Sequence, residues 1–180
     1  MSGEASGAPP IRTVYTVEDI AKAVDDLANQ LAPILDDTWV AVALLLGATP
    51  FAADLIRALA RRNIHVRFDA LWLESYRDAR ESSGRVVVRA DLSRSVENRP
   101  VLILDEIFDS GRTLAYAKAH IRAKGAAKAI STALIVKPEA AGADRPDLWA
   151  FEAPNAFLVG YGMDDAGKWR GLPYIGALET

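Results

Sequence analysis

The chain has 180 residues, 51% of them apolar and 25% charged, with a net charge of −3 and no cysteine. That length fits one domain of ordinary globular composition, able to bury roughly 70% of its unfolded surface without staples. The charge balance argues against a nucleic-acid partner, which calls for a basic face. The lack of cysteine excludes disulfides, thiolate metal sites and a cysteine nucleophile, and fits a cytoplasmic setting.

Residues 1–12 open as MSGEASGAPP, without the basic and apolar blocks of a signal peptide. They are expected to form a disordered arm ahead of a single domain over 13–180. Thr16 and Asp19 make a capping-box pattern before Ile20, Val24, Leu27 and Leu31, which share one face of a helix. Residues 39–46 (WVAVALLL) are a continuous apolar run ended by Gly47, as a strand buried on both faces requires. The run is far too short to cross a bilayer, so no membrane association is expected. Thr49 and Pro50 supply a cap and a first-turn proline for a helix carrying Phe51, Leu55, Ile56 and Leu59. A second strand is expected over 65–73, then a polar, glycine-ended loop or hairpin tip over 75–84 (SYRDARESSG). Strands come next at 85–90 and 101–104, then a helix over 111–124 closed by Gly125 in the C′ position, then a strand at 130–136. A Pro, Gly and Ala loop over 138–147 leads to short strands at 148–152 and 157–159 and a Gly/Asp-rich tail. Apolar strands alternating with amphipathic helices predict an α/β domain with a mainly parallel, twisted sheet covered by helices on both faces. Ligands of such sheets sit at the carboxyl ends of the strands. Those ends are the positions just after Leu46, Leu73, Leu104 and Val136.

The segment 101–113 (VLILDEIFDSGRT) is the most informative stretch. Four apolar residues end at two carboxylates, Asp105 and Glu106, and a third, Asp109, opens a Ser110-Gly111-Arg112-Thr113 turn into a helix. Backbone N–H groups of 109–113 at a helix N-terminus make an anion nest, with hydroxyls from Ser110 and Thr113, and Gly111 permits close approach. Carboxylates beside a nest repel a bare phosphate, so they suit ribose hydroxyls or a hard cation. An apolar strand ending in Asp-Glu also matches the second nucleotide motif of P-loop ATPases, but G-x-x-x-x-G-K-[ST] occurs nowhere in the chain. A receiver-type aspartate pocket likewise ends strands in acids, yet has no use for a nest behind them. Each residue alone would suit a solvated loop and a capped helix; the joint pattern carries the reading.

The stretch LDEIFDSGRT resembles the hallmark of the type I phosphoribosyltransferases, and among them the hypoxanthine (hypoxanthine-guanine) phosphoribosyltransferases: a strand, two acids, two apolar residues, then D-[ST]-G-x-T. The family usually has its acids as Glu-Asp, and Asp105-Glu106 inverts the pair. Leu45-Leu46-Gly47-Ala48 with 51–56 (FAADLI) is similar to the family's pyrophosphate loop, known for a non-proline cis peptide, and its helix. Leu46 stands where many members have lysine. Ser75-Tyr76 resembles the pair on the family's mobile lid, and 172–176 (LPYIG) the ending of bacterial members.

The resemblance implies the type I fold with a small hood from the N- and C-terminal segments. It implies transfer of 5-phosphoribosyl from phosphoribosyl pyrophosphate (PRPP) to N9 of hypoxanthine or guanine, releasing pyrophosphate. Asp109 would then be general base or acid at the purine; Asp105, Glu106, Ser110, Gly111, Arg112 and Thr113 would hold the ribose phosphate. Leu46, Gly47 and Arg170 would meet pyrophosphate, Ser75 and Tyr76 would ride on the lid, and Lys137, Phe157 and Leu158 would bind the 6-oxopurine. Asp164, with Asp105 and Glu106, would serve Mg²⁺, and the protein would be a homodimer or homotetramer. Two other readings stay open from residues alone: a non-catalytic regulator that senses the same ligand, and a xanthine-preferring transferase. Asp109 and the Ser75-Tyr76 pair argue against the regulator, which has little use for either.

Overall fold

The computed structural model describes residues 10–76, 85–138, 144–154 and 156–179. In chain order the elements are β1 (Ile11–Tyr15), α1 (Val17–Leu31), β2 (Val40–Leu45), α2 (Thr49–Ala60), β3 (Arg67–Tyr76) and β4 (Arg85–Ala90). Then come β5 (Pro100–Phe108), α3 (Arg112–Ala123), β6 (Lys128–Val136), β7 (Leu148–Glu152), β8 (Leu158–Val159) and β9 (Ile175–Leu178). Strands β2, β3, β5, β6 and β7 run parallel, and β4 closes one edge antiparallel to β3, in the order β4-β3-β2-β5-β6-β7. A smaller antiparallel sheet, ordered β1-β9-β8, joins the first strand to the last two.

The unbroken apolar run of β2 is explained by cover on both faces. Ala41 and Ala43 pack with Leu102, Leu104, Phe51 and Leu55 beneath α1 and α2, while Val40, Val42 and Leu44 pack with Val101, Ile103, Leu114 and Ile121 beneath α3. Helix α1 contributes Val24, Leu27 and Leu31 to that core, each stabilising by about 2 kcal/mol on burial. Its start is the capping box written in the sequence: the Asp19 N–H donates to Thr16 Oγ1 at 3.2 Å, and the Thr16 N–H donates to Asp19 Oδ2 at 2.9 Å. Helix α3 is capped by Lys124, and Gly125 comes next at φ 83, a left-handed position that glycine takes without a Cβ clash. Among the described residues no helix is long and apolar enough to cross a membrane.

Several boundaries differ from expectation. Ala48, not Thr49, caps α2: the chain leaves β2 in a tight turn, with the Ala48 N–H donating to Leu44 O at 3.2 Å, so no extended residue remains before the helix. Thr49 is already helical, and its hydroxyl donates back to Leu46 O at 2.7 Å. Strand β5 continues through Asp105 and Glu106 to Phe108, because β6 runs beside it to Val136 and keeps the ladder intact past the last apolar residue. Ser75 and Tyr76 belong to β3 rather than to a loop, opposite Val86 and Arg85 of β4; their side chains, and residues 77–84, lie outside the described residues. Strand β1 takes in Ile11 and Arg12, expected to belong to the arm, since β9 at the other end of the chain offers them a partner. Tyr15 at the end of β1 stacks on Phe151, ring centres 4.0 Å apart, and its hydroxyl donates to Glu152 O at 2.8 Å. That contact seats the small sheet at the carboxyl end of β7.

Candidate active site

The carboxyl ends of β2, β3 and β5 frame a cleft of about 290 Å³, walled by Leu44, Leu45, Leu73 and residues 105–114. Asp105 is 5% exposed. Burial holds its carboxyl well above the usual carboxylate range, and the neighbouring Glu106 adds to the rise. Burial raises Glu106 as well; the Arg170 guanidinium pulls it back and Asp164 pushes it up. Beyond Phe108 the chain turns through Asp109 and Ser110 to Gly111, whose φ of 75 makes it the left-handed cap of α3. A helix start directs its first N–H groups and the positive end of its dipole outward, and that of α3 faces the cleft.

A second cavity of about 160 Å³ is lined by Glu106, Ile107, Asp109, Lys137, Phe157, Leu158, Met163 and Asp164. Glu106, Ile107 and Asp109 line both spaces, so the two adjoin at Asp109. The β5–β6 ladder explains how Lys137 reaches this point: its N–H donates to Phe108 O at 2.9 Å, and its Nζ stands 3.7 Å from Asp109 Oδ1. Phe157 is 51% exposed, an aromatic face available to a flat ligand. Leu158 lies in β8, held by β9.

Behind Glu106 the turn at 46–47 and the segment 160–164 press together. A Cβ on Gly47 would collide with the Glu106 carboxylate, and one on Gly162, at φ 101, would collide with the Gly47 carbonyl. The Leu45–Leu46 peptide is cis, as the resemblance implies. Arg170 pairs with Asp164 Oδ1 at 2.7 Å and donates to Gly162 O at 2.6 Å.

The sequence-derived residues therefore gather in two groups that meet. Asp105, Glu106 and 109–113 line the first cleft; Lys137, Phe157, Leu158 and Asp164 line the second. Gly47 reaches the site through Glu106, and Arg170 through Asp164. Leu46 is 47% exposed and lines neither cavity. Among the described residues, no three acidic or imidazole side chains gather closely enough to enclose a metal ion by themselves. Asp164 lines the second cavity with Glu106, faces Arg170 and accepts the Gly167 N–H at 2.7 Å. These hard oxygen donors suit Mg²⁺ as a partial set, with the rest of an octahedron left to ligand phosphates and water. Met163, Leu44 and Leu73 form walls that no polar signal announced; the place of Met163 between Gly162 and Asp164 was its sole cue.

Residues 12–166 match the family model described as "Phosphoribosyl transferase domain", and the chain belongs to the phosphoribosyltransferase family. Among particular relatives, it is 39% identical over 170 residues to the hypoxanthine-guanine phosphoribosyltransferase of Bacillus subtilis, covering 93% of each chain. It is 32% identical to the protein of that name from Streptococcus thermophilus, again over 93% of each. A crystal structure of a hypoxanthine phosphoribosyltransferase from Staphylococcus aureus superposes with a TM-score of 0.86 at 32% identity, covering 93% of this chain and 91% of that one.

Proposed function

We propose that the protein is a purine-salvage transferase that moves the 5-phosphoribosyl group of PRPP to N9 of hypoxanthine or guanine, giving IMP or GMP and pyrophosphate. One observation carries the reading: the cleft at the start of α3 and the cavity beside Phe157 adjoin at Asp109. A sugar phosphate anchored on the N–H groups of 110–113 turns its anomeric carbon toward a heterocycle lying on Phe157. The C1′–N9 bond forms as the C1′–O bond to pyrophosphate breaks, and the bonding electrons leave with pyrophosphate. Asp109 takes the displaced purine proton as general base. Asp105 and Glu106 hold the ribose hydroxyls and lend negative field to the positive charge that develops there. Arg170 and the Leu46-Gly47 turn receive the pyrophosphate, and Ser75 and Tyr76 are the lid residues of this scheme. Lys137 donates to the 6-oxo group and has no acceptor for a 6-amino group, which disfavours adenine.

Mg²⁺ fits beside Asp164 and the Asp105-Glu106 pair, where it would neutralise pyrophosphate charge. With no cysteine to protect, the chain suits the cytoplasm. Assembly into dimers or tetramers is supported by Phe68 and Trp72, four residues apart on one face of β3 and 45% and 40% exposed. The test is direct: purified protein, Mg²⁺ and PRPP are mixed with hypoxanthine, guanine, xanthine or adenine, and ultraviolet absorbance is followed. Turnover of hypoxanthine or guanine, with adenine slower by ~10³-fold or more, is expected. Failure of every 6-oxopurine to react would overturn the reading.

A further inference from the structure

The segment 160–164 is shaped by contacts outside either cavity. Tyr161 is 7% exposed yet sits at φ 46, a conformation that an aromatic residue adopts only where its surroundings impose it. Its N–H donates to Leu172 O at 2.8 Å, and the Gly162 N–H donates to Arg170 O at 3.0 Å, so 160–162 runs alongside 170–172. Its hydroxyl crosses to α2 and donates to Asp54 Oδ2 at 2.7 Å. The other oxygen of Asp54 accepts from Arg57 at 2.6 Å. Burial and the Asp54 carboxylate push the Tyr161 phenol far above its ordinary value, so it stays a donor throughout the working range.

One residue further on, Gly162 lies against the Gly47 carbonyl, and a Cβ there would stand 3.0 Å from Pro50 Cδ. Pro50 and Asp54 are four residues apart and share one face of α2. Helix α2 therefore grips the segment twice, at Pro50 and at Asp54, while its own start is continuous with the Leu46-Gly47 turn. On the far side the same segment carries Asp164, whose partner Arg170 sits on the adjoining stretch 170–172. Two halves of one anion site, the turn and the arginine, are thus spaced by a contact that reaches neither.

We propose that the Asp54–Tyr161 hydrogen bond is a positioning contact: it fixes Asp164 and Arg170 against the Leu46-Gly47 turn and so sets affinity for the pyrophosphate end of PRPP. The proposal rests on the transferase reading above. Tyr161→Phe keeps the ring and deletes the donor. Asp54→Ala deletes the acceptor, while Asp54→Asn keeps one. In steady-state assays of the full-length protein with Mg²⁺, Y161F and D54A should each raise the KM for PRPP about 5-fold, leaving kcat and the purine KM within about 2-fold. The double variant should be no worse than either single one, and D54N should stay within about 2-fold of the parent. A merely structural role would lower melting temperature and shift all kinetic constants together; that pattern, or an unchanged PRPP KM in Y161F, overturns the proposal. If the parent protein transfers nothing, the transferase reading fails and the contact is read instead by calorimetry with Mg²⁺ and pyrophosphate. A roughly 5-fold weaker Kd in Y161F then supports the positioning role, and an equal Kd overturns it.

Discussion

Replacing Gly47 with alanine probes how Glu106 is held. The backbone at Gly47 lies outside the left-handed region, so alanine is conformationally allowed; what it meets is a side chain. A Cβ there would stand 2.9 Å from Glu106 Cγ and nearer still to the carboxylate, whereas carbon contacts settle at ~3.5–4.0 Å. Glu106 must swing away by more than an ångström, into the cleft that its carboxylate is meant to line. Displacing a positioned group by that much costs on the order of 10²-fold, so kcat/KM should fall ~10²-fold, equivalent to about 2.7 kcal/mol. Stability should change little: a carboxylate that can rotate toward solvent costs about 1 kcal/mol, or ~2–4 °C in a domain of this size. The assay is initial rate against PRPP by ultraviolet absorbance, paired with thermal unfolding. Gly171→Ala is the control, because nothing lies within 4 Å of its Cβ position. G47A melting near the parent and retaining kcat/KM within threefold would refute this account of Glu106.

Asp109→Ala should lower kcat by ~10²-fold or more with the fold intact; near-parental turnover removes its role as base. Arg170→Ala should chiefly raise the KM for PRPP, since it loses the ion pair to Asp164 and the contact to Gly162 O; an effect confined to the purine KM contradicts it. Asp91 accepts from His120 at 2.9 Å and pairs with Lys124 at 2.6 Å. Burial would raise its carboxyl, but Lys124 and His120 win and bring it down to about 2. A depressed carboxyl contributes stability above the ordinary carboxylate range and loses it as pH falls toward about 2. For a carboxylate that is 41% exposed, screening leaves about 1 kcal/mol. Asp91→Asn should therefore unfold more easily at neutral pH and converge with the parent in acid; identical urea midpoints at pH 7 would remove the claim.

The parts of the fold legible in the sequence were those with local causes. Thr16 and Asp19 announce α1 because the cap is closed within four residues. Residues 39–46 announce β2 because burial on both faces forbids any polar position. The end of β5 was misplaced because hydrophobicity stops at Leu104 while hydrogen bonding to β6 does not. Strands β1 and β9 are short and stabilised by each other, so neither carries a signal of its own. At the site, the turn at 109–113 was readable because a left-handed glycine and a helix start fall together there. The link from Asp54 to Tyr161 was not, since a partner 107 positions away and a left-handed aromatic residue leave no periodic trace. Nor could spacing show that Asp164, beside Glu106 in the second cavity, also pairs with Arg170.

The order β1-β9-β8 has a consequence for synthesis on the ribosome. The large sheet needs nothing beyond Glu152, so every strand that frames the first cleft is available early. The small sheet has its last-made strand in the middle. Leu158 cannot be clamped above the second cavity until Ile175–Leu178 emerges, so a nascent chain acquires the floor of the first cleft well before the roof of the second.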